Sequence, residues 1–380
     1  MPAGSRLKIG IDCSEMEGKP TGVGRYLLNL LRHWGEFSPE HEYLCYFMGE
    51  IPSADFLYRS PFSLKLLYPV PVKSRLLWEQ WQLLQESRRD RVDLFFSPGY
   101  SVPLRLSCPG AMTIHDISFE AHPEWFPLAD GIKRRYICRQ AVMRADTVFT
   151  DSRFSCGEII THYQVPPSKI KVIPIGVEKK YFQRQPSPVS EALKERLAIK
   201  GRIILHVGTI LNRRAIPDLL RGFSHIARRF PDVTLVIVGE NRTYPRIDLA
   251  GLLQALQVTA SVILLDFIPE KQLLALYSLA DLFIYLSHYE GFGLPPLEAM
   301  CFGLPVVISG TGALREIYGD AAFVVEQITP DAIASALECL LEDRGAREAL
   351  STRGTALTER YPWKKTADQT LRHLLDLVKS

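Results

Sequence analysis

The stretch His288-Tyr-Glu-Gly-Phe-Gly-Leu-Pro-Pro-Leu-Glu-Ala-Met-Cys-Phe-Gly-Leu-Pro-Val-Val-Ile-Ser309 decides how the rest of the chain is read. The apolar run Leu282 to Leu286 before it has the length and composition of a buried strand. A loop with Gly291 and Gly293 follows. Pro295 and Pro296 suit the first turn of a helix, where a missing N–H costs nothing. Leu297 to Phe302 then reads as the helix, Gly303-Leu-Pro305 as its stop, and Pro305 to Ser309 as a second strand. Glu290 lies in the loop and Glu298 in the helix, eight positions apart. The turn presents the amides of Gly291, Phe292, Gly293 and Leu294 at a helix N-terminus, whose partial positive charge suits a phosphate or a sugar hydroxyl. Carboxylates accept hydrogen bonds from hydroxyl pairs, so one Glu can hold a sugar and the other a ribose. An isolated pair of this kind is usually two surface glutamates. With glycines, prolines and both carboxylates in one turn, a ligand site is the better reading.

These residues resemble the retaining nucleotide-sugar glycosyltransferases of family 4. Their signature is E-G-F-G-L-P-x-L-E-A-M-A-x-G-x-P-V-V, and this chain carries E-G-F-G-L-P-P-L-E-A-M-C-F-G-L-P-V-V. The resemblance implies that Glu290 contacts the donor sugar and Glu298 the nucleotide ribose. The amides of residues 291–294 would meet sugar hydroxyls and the distal phosphate. It also names the architecture: GT-B, an α/β fold of two Rossmann-like domains facing across a cleft, with a last helix crossing back onto the first domain.

The bulk properties fit. The 380 residues are comfortable for two domains. Hydrophobic residues at 47% and charged residues at 23% are ordinary for a globular protein. A net charge of +3 is too small to argue for nucleic acid. Seven scattered cysteines without a C-x-x-C pair read as reduced thiols of a cytoplasmic protein. No His/Cys cluster has zinc spacing. The N-terminal apolar run is broken by Asp12 and Glu15, so it reads as a strand rather than a signal peptide. No stretch approaches the roughly 20 apolar residues of a membrane span.

Leu7 to Ile11 is strand-like, and Pro20-Thr-Gly-Val-Gly-Arg-Tyr26 leads into an amphipathic helix, Arg25 to Trp34. A strand, glycine loop and helix form a phosphate-binding arrangement or a plain crossover turn. The loop lacks a full G-x-G-x-x-G, and no acidic residue ends the next strand, Tyr43 to Met48, which sets nicotinamide cofactors aside. The resemblance puts Gly22 against the donor phosphate. Further strands are expected at Val92 to Phe96, Gly110 to Ile114 and Thr147 to Thr150, with Lys171 to Gly176 closing the domain. His115 and Asp116 follow one of these strands, at the end where α/β folds gather ligands. By resemblance His115 contacts the donor sugar, and Asp116 either orients it or faces the acceptor. Ser74 to Glu86 reads as a helix whose Trp78 and Trp81 belong to the core. The minority reading is a face for anionic lipid, with Lys73, Arg75, Arg88, Arg89 and Arg91 beside it. Residues 1–190 hold 24 Lys+Arg against 20 Asp+Glu, a weak bias in that direction. Lys133, Arg134 and Arg135 read as a solvated helix face.

The domain boundary is expected at 185/186, giving an acceptor domain 1–185 with the C-terminal helix 361–380, and a donor domain 186–360. Strand–helix alternation restarts at Ile203 to Val207 and predicts a mostly parallel sheet. After that strand, Gly208-Thr-Ile-Leu-Asn-Arg-Arg-Ala215 brings Thr209, Arg213 and Arg214 to a strand end, where planar guanidinium groups suit a diphosphate. Relatives read G-T-x-E-P-R-K-N here, so Arg214 replaces a lysine, and the Glu, Pro and Asn are lost. Near Leu264-Leu-Asp-Phe-Ile-Pro269, Asp266 replaces a glycine, and Phe267 and Ile268 are placed to flank the base.

The expected activity is transfer of a hexose from a nucleoside diphosphate, first GDP-mannose, to a hydroxyl of a polysaccharide or lipid-linked acceptor. No D-x-D motif stands at a strand end, so neither metal nor cofactor is expected. The expected location is cytoplasmic, peripheral to the inner face of the membrane. The rival readings are a UDP-hexose donor, an epimerase or phosphorylase on a similar double sheet, and a non-catalytic subunit.

Overall fold

The computed structural model describes residues 6–18, 22–68, 74–178 and 188–379. Pro20, Thr21, Lys73 and the expected boundary at 185/186 lie outside them. The chain divides into two compact units. The first comprises Met1–Ala121, Leu128–Gly176 and Trp363–Ser380; the second comprises His122–Pro127 and Val177–Pro362.

The first unit holds a seven-stranded sheet: β1 (Lys8–Asp12), β2 (Glu42–Phe47), β3 (Phe62–Leu66), β4 (Leu94–Ser97), β5 (Gly110–Thr113), β6 (Thr147–Thr150) and β7 (Ile170–Val172). Their order is β3-β2-β1-β4-β5-β6-β7, and every pairing is parallel. The second unit holds β8 (Arg202–Val207), β9 (Val233–Val238), β10 (Val262–Leu265), β11 (Leu282–Tyr285), β12 (Val306–Ser309) and β13 (Phe323–Val325). These run β10-β9-β8-β11-β12-β13, again all parallel. Central strands such as Leu282–Tyr285 and Val306–Ser309 are buried throughout. Burial on both faces is why they read as continuous apolar runs rather than alternating ones. Strand order reverses between β1 and β4 and between β8 and β11, so each sheet has a switch point at its carboxyl edge.

The expected return of the last helix is seen. Trp363–Lys379 buries Ala367, Leu371 and Leu374 in the same core as Leu27, Leu30, Leu31 and Trp34 of the helix Gly22–Phe37. Trp34 Nε1 donates to the Ala367 carbonyl at 2.9 Å, and Thr366 Oγ1 donates to the Pro174 carbonyl at 2.8 Å. A C-terminal segment thus completes the core of the N-terminal sheet.

One expectation fails at the tryptophans. Trp78 is buried, but Trp81 is 52% exposed. Residues Trp78–Leu83 adopt π-helical geometry between Arg75–Leu77 and Leu84–Asp90. A wider turn rotates less per residue, so side chains three apart no longer share a face.

Leu374 tests the return of the last helix. Leu374→Ala should cost the first unit about 2–5 kcal/mol, the usual range for a truncated buried leucine. Urea unfolding followed by hydrogen exchange should show the loss in the amides of Gly22–Phe37 as well as in the last helix. A loss confined to the last helix would mean that the return contributes nothing to the first core.

Candidate active site

In the second unit, the loops after β8 and β11 meet at the switch point. Backbone stitches them together: His288 N donates to the Arg213 carbonyl at 2.8 Å. Side chains add to this. Ser287 Oγ lies 3.0 Å from the Arg213 carbonyl and 2.9 Å from that of Tyr289, and Arg214 Nη1 donates to it at 3.3 Å. Ser309 Oγ, at the end of β12, donates to the Ser287 carbonyl at 2.7 Å and accepts from Ser287 N at 3.0 Å.

The result is a buried ion pair. Arg214 Nη1 contacts Glu290 Oε2, with both side chains 8% exposed. The guanidinium lies over the Tyr285 ring, 4.5 Å from its centroid. A cation–π contact of this kind is worth up to about 2 kcal/mol when desolvated. Tyr285 stacks in turn with His206 at 5.6 Å. Burial, together with the Arg214 charge, pushes the His206 imidazole down to about 3, so it is neutral and its Nδ1–H donates to the Ile284 carbonyl at 3.0 Å. The ring behind Tyr285 is therefore uncharged.

The helix after this loop begins earlier than expected, at Leu294, and runs to Cys301. Gly293 is its N-cap with φ +80°, a conformation in which an added Cβ would come within 2.6 Å of Leu314. No side chain caps this terminus. Tyr318 donates to the Gly293 carbonyl at 2.7 Å, and Phe292 packs edge-on against Tyr318 and Tyr361. Glu298 lies deeper in the helix, buried, and accepts from Tyr277 at 3.0 Å. Thr209 is exposed and Arg213 half-buried on the β8 loop. Ala215 takes a left-handed φ of 45°, a conformation that favours the asparagine found in relatives. The loop thus keeps an asparagine-type turn without the asparagine. Phe267, 67% exposed, and Ile268 follow β10, two strands from β8 at the sheet edge, and do not join the Arg214–Glu290 cluster.

In the first unit, His115 follows β5. Its Nδ1 bonds to Asp151 Oδ2 at 2.7 Å, and the Tyr26 ring packs edge-on against it at 4.9 Å. The residue orienting His115 is therefore Asp151, not Asp116, whose Oδ1 instead accepts from Ser118 N at 2.9 Å. The signal was available. Thr113 pairs with Phe149, so a parallel register continued two residues places His115 beside Asp151. Gly22 opens its helix in an exposed position, and a Cβ there would meet nothing within 4 Å. The fold does not itself require glycine at that point. Tyr285 and His206 also escaped sequence reasoning, because they read as strand residues, and Ser287 because it falls between the strand and the motif.

Family models match both units. Residues 20–181 match Glycosyltransferase Family 4, and residues 189–356 match Glycosyl transferases group 1. The chain is 30% identical over 371 residues to the O-antigen chain mannosyltransferase B of Escherichia coli, covering 92% of this chain and 95% of that one. It is 30% identical over 254 residues to the D-inositol 3-phosphate glycosyltransferase of Kineococcus radiotolerans, covering 61% of this chain and 58% of that one. Among solved structures, Anabaena HepE in complex with UDP and glucose superposes with a TM-score of 0.74 at 18% identity, over 98% of this chain and 100% of that one. The two Rossmann-like units have the GT-B fold. The chain belongs to the family 4 glycosyltransferases and is an enzyme of that class. Among the described residues, no helix is long and apolar enough to cross a membrane.

The His115–Asp151 pair makes a pH prediction. Burial alone would lower the His115 pKa, but the Asp151 carboxylate at Nδ1, with Asp116 nearby, more than offsets it and holds the pKa above the ordinary 6.5. A raised histidine contributes stability that is fully present below its unfolded value and lost as pH rises through the folded value. An imidazole NMR titration should place His115 above 6.5 in the native protein, and Asp151→Asn should lower it. An unmoved titration would show that the carboxylate does not set the ring's charge.

Proposed function

We propose that the chain is a retaining hexosyltransferase that moves mannose from GDP-mannose to a hydroxyl of a polysaccharide or lipid-linked glycan. The observation that carries this reading is the buried Arg214–Glu290 pair at the switch point of the second sheet. Breaking an anomeric bond builds positive charge on the sugar and negative charge on the leaving diphosphate. Arg213 and Arg214 meet the diphosphate, the turn at residues 291–294 supplies further donors, and Glu290 positions the sugar beside the developing cation. Glu298 holds the ribose, Phe267 and Ile268 flank the base, and Thr209 lines the phosphate approach. His115, oriented by Asp151, contacts the donor sugar, and Gly22 leaves room for the phosphate. The donor phosphate takes the acceptor's proton, so no enzymic nucleophile is required. Similarity to a mannosyltransferase over 92% of the chain supports the sugar. The rival donor is a UDP-hexose, since a protein of the same fold was solved with UDP and glucose.

The enzyme works against a membrane surface in this reading. Leu77 and Trp81, and Leu128, Ile132 and Tyr136 of the helix Leu128–Arg144, are exposed in the first unit, with Lys133 and Arg134 also at the surface. Apolar side chains interleaved with cations suit an anionic interface. The protein should float with phosphatidylglycerol vesicles and not with phosphatidylcholine ones, and Trp81→Ser with Ile132→Ser should abolish flotation. Equal recovery on both lipids would remove the membrane from the proposal.

Thermal melting with GDP, UDP, ADP and TDP in chelator tests the donor. GDP at a hundred times its Kd should add about 2.7 kcal/mol, with smaller shifts for the others. Gly22→Ala should melt no lower than the native chain, yet turn over GDP-mannose at least tenfold more slowly. A chain that binds UDP alone and transfers from a UDP-hexose would replace the donor. One that binds no nucleotide and turns over neither donor would end the catalytic reading.

A further inference from the structure

The turn that carries Glu290 is held by rings that lie outside it. Phe292 stands between Gly291 and Gly293 and is 3% exposed. Its ring meets Tyr318 edge-on at 6.3 Å and Tyr361 edge-on at 5.9 Å. Tyr318 is fully buried and also donates to the Gly293 carbonyl at 2.7 Å. The turn has no slack of its own. A Cβ at Gly293 would come within 2.6 Å of Leu314 and 3.3 Å of Glu290 Cγ. Groups packed this closely shift together or not at all.

The two supporting rings come from different places. Tyr318 ends the helix Gly312–Tyr318. Tyr361 is half-buried in the short connection between the helices Arg344–Thr358 and Trp363–Lys379. That connection is where the chain leaves the second unit: it enters that unit after Gly176 and returns to the first after Pro362. The two passages are bonded to each other. Val177 N donates to the Tyr361 carbonyl at 2.9 Å, and Val177 pairs with Pro362 in an isolated parallel bridge. Tyr361 N is tied back to the Thr358 carbonyl at 3.1 Å.

Tyr361 therefore does two things at once. Its ring supports the turn at residues 291–294, and its carbonyl joins the incoming and outgoing passages of the chain. Core packing alone would take such a ring from a helix or a strand. Connecting segments are the more mobile parts of a fold, so a ring supplied from one makes the turn's position depend on that connection. A bridge secured by so few backbone bonds belongs to the part of a structure that opens locally.

We propose that Tyr361 is a positioning residue for the donor turn, and that nucleotide bound at residues 291–294 and the Val177–Tyr361 bond stabilise each other through the Phe292 ring. The proposal rests on the donor-site reading above. Such linkage is reciprocal: a nucleotide that favours the bonded passage is held more tightly by it, by the same factor.

Amide hydrogen exchange on the full chain, resolved by NMR, is the test. The probe is GDP or UDP, whichever binds, at about a hundred times its Kd in chelator. Nucleotide should slow exchange at Val177 about fivefold or more, the lower end of ordinary coupling between sites. Phe230 is the control: its amide closes the end of the helix Ile216–Arg229 in the same unit, bonding to the Ile226 carbonyl at 2.8 Å, and should be slowed less. Tyr361→Leu should abolish the extra slowing at Val177 and weaken nucleotide binding by the same factor. Phe292→Leu breaks the contact from the other side and should likewise abolish the slowing. Tyr361→Phe keeps the ring and the carbonyl, and should behave as the native chain. If either leucine variant melts well below the native chain, the native measurement and the other variant decide. Extra slowing that survives both leucine variants would overturn the proposal. A Tyr361→Phe chain as defective as Tyr361→Leu would do the same, since the hydroxyl rather than the ring would then carry the effect. Nucleotide binding with equal slowing at Val177 and Phe230 would end this inference alone. A chain that binds neither nucleotide would end the donor-site reading and the coupling with it.

Discussion

A guanidinium and a carboxylate buried together are costly to desolvate, and their attraction compensates only when the geometry is held from several sides. The Arg214–Glu290 pair meets that condition. Tyr285 lies under the guanidinium, Ser287 accepts from it, and the Arg213 carbonyl anchors the neighbouring loop through His288 N. Removing one partner of such a pair typically costs about 3–5 kcal/mol, because the other is left charged and buried. The two loops of the second switch point are therefore one object. The strands on either side, β8 and β11, position that object, and the downstream glycine turn and helix follow from it.

The first unit solves a similar problem in another way. His115 and Asp151 leave adjacent strands and meet as a hydrogen-bonded pair against Tyr26. Arg75, Glu15 and Asp12 form a second cluster at the end of β1, beside the sheet reversal. In both units these pairs stand at the carboxyl edge, where helix N-termini and loop amides also point. The cores beneath are built mainly from hydrophobic side chains. The sheets act as rigid floors, and the chemistry is confined to loops whose geometry the floors determine.

The sequence made the floors readable. Parallel strands buried on both faces appear as four- to six-residue apolar runs, and Leu282–Tyr285 and Val306–Ser309 fall where those runs predict. The strands β3 and β13 were not anticipated. Phe62–Leu66 is an edge strand only partly buried along its length, and Phe323–Val325 has three residues. Such segments carry too little pattern to separate from loop. The motif turn was legible because its residues are contiguous, including Glu290 and its glycines. Arg214 was visible as a cation at a strand end, but its pairing with Glu290 was not, because 76 positions separate them and only the β8–β11 pairing brings them together. Asp151 is the intermediate case: a register argument reaches it once β5 and β6 are known to be neighbours. Trp81 shows the reverse failure, since a local rule that assumes α-helical turns gives the wrong face when the helix widens.

The titrating groups separate what the fold needs from what the site needs. His206 is buried and held neutral down to about 3, so it behaves as a flat, uncharged ring under Tyr285 and adds nothing to the pH response. Glu79 is also buried but sits near 7, because Ser101, Gln80 and Arg75 hold back part of the shift that burial alone would give. For an acid whose folded pKa is raised, the native state loses stability as pH climbs from the unfolded value to the folded one, so an ionised Glu79 works against folding. A glutamine would satisfy Ser101 and Gln80 with less penalty. The position is thus better suited to a ligand than to the core, just as the open space at Gly22 is better suited to a ligand than to its helix. In both places the sequence departs from what packing alone would choose, and both lie at the carboxyl edge of the first sheet.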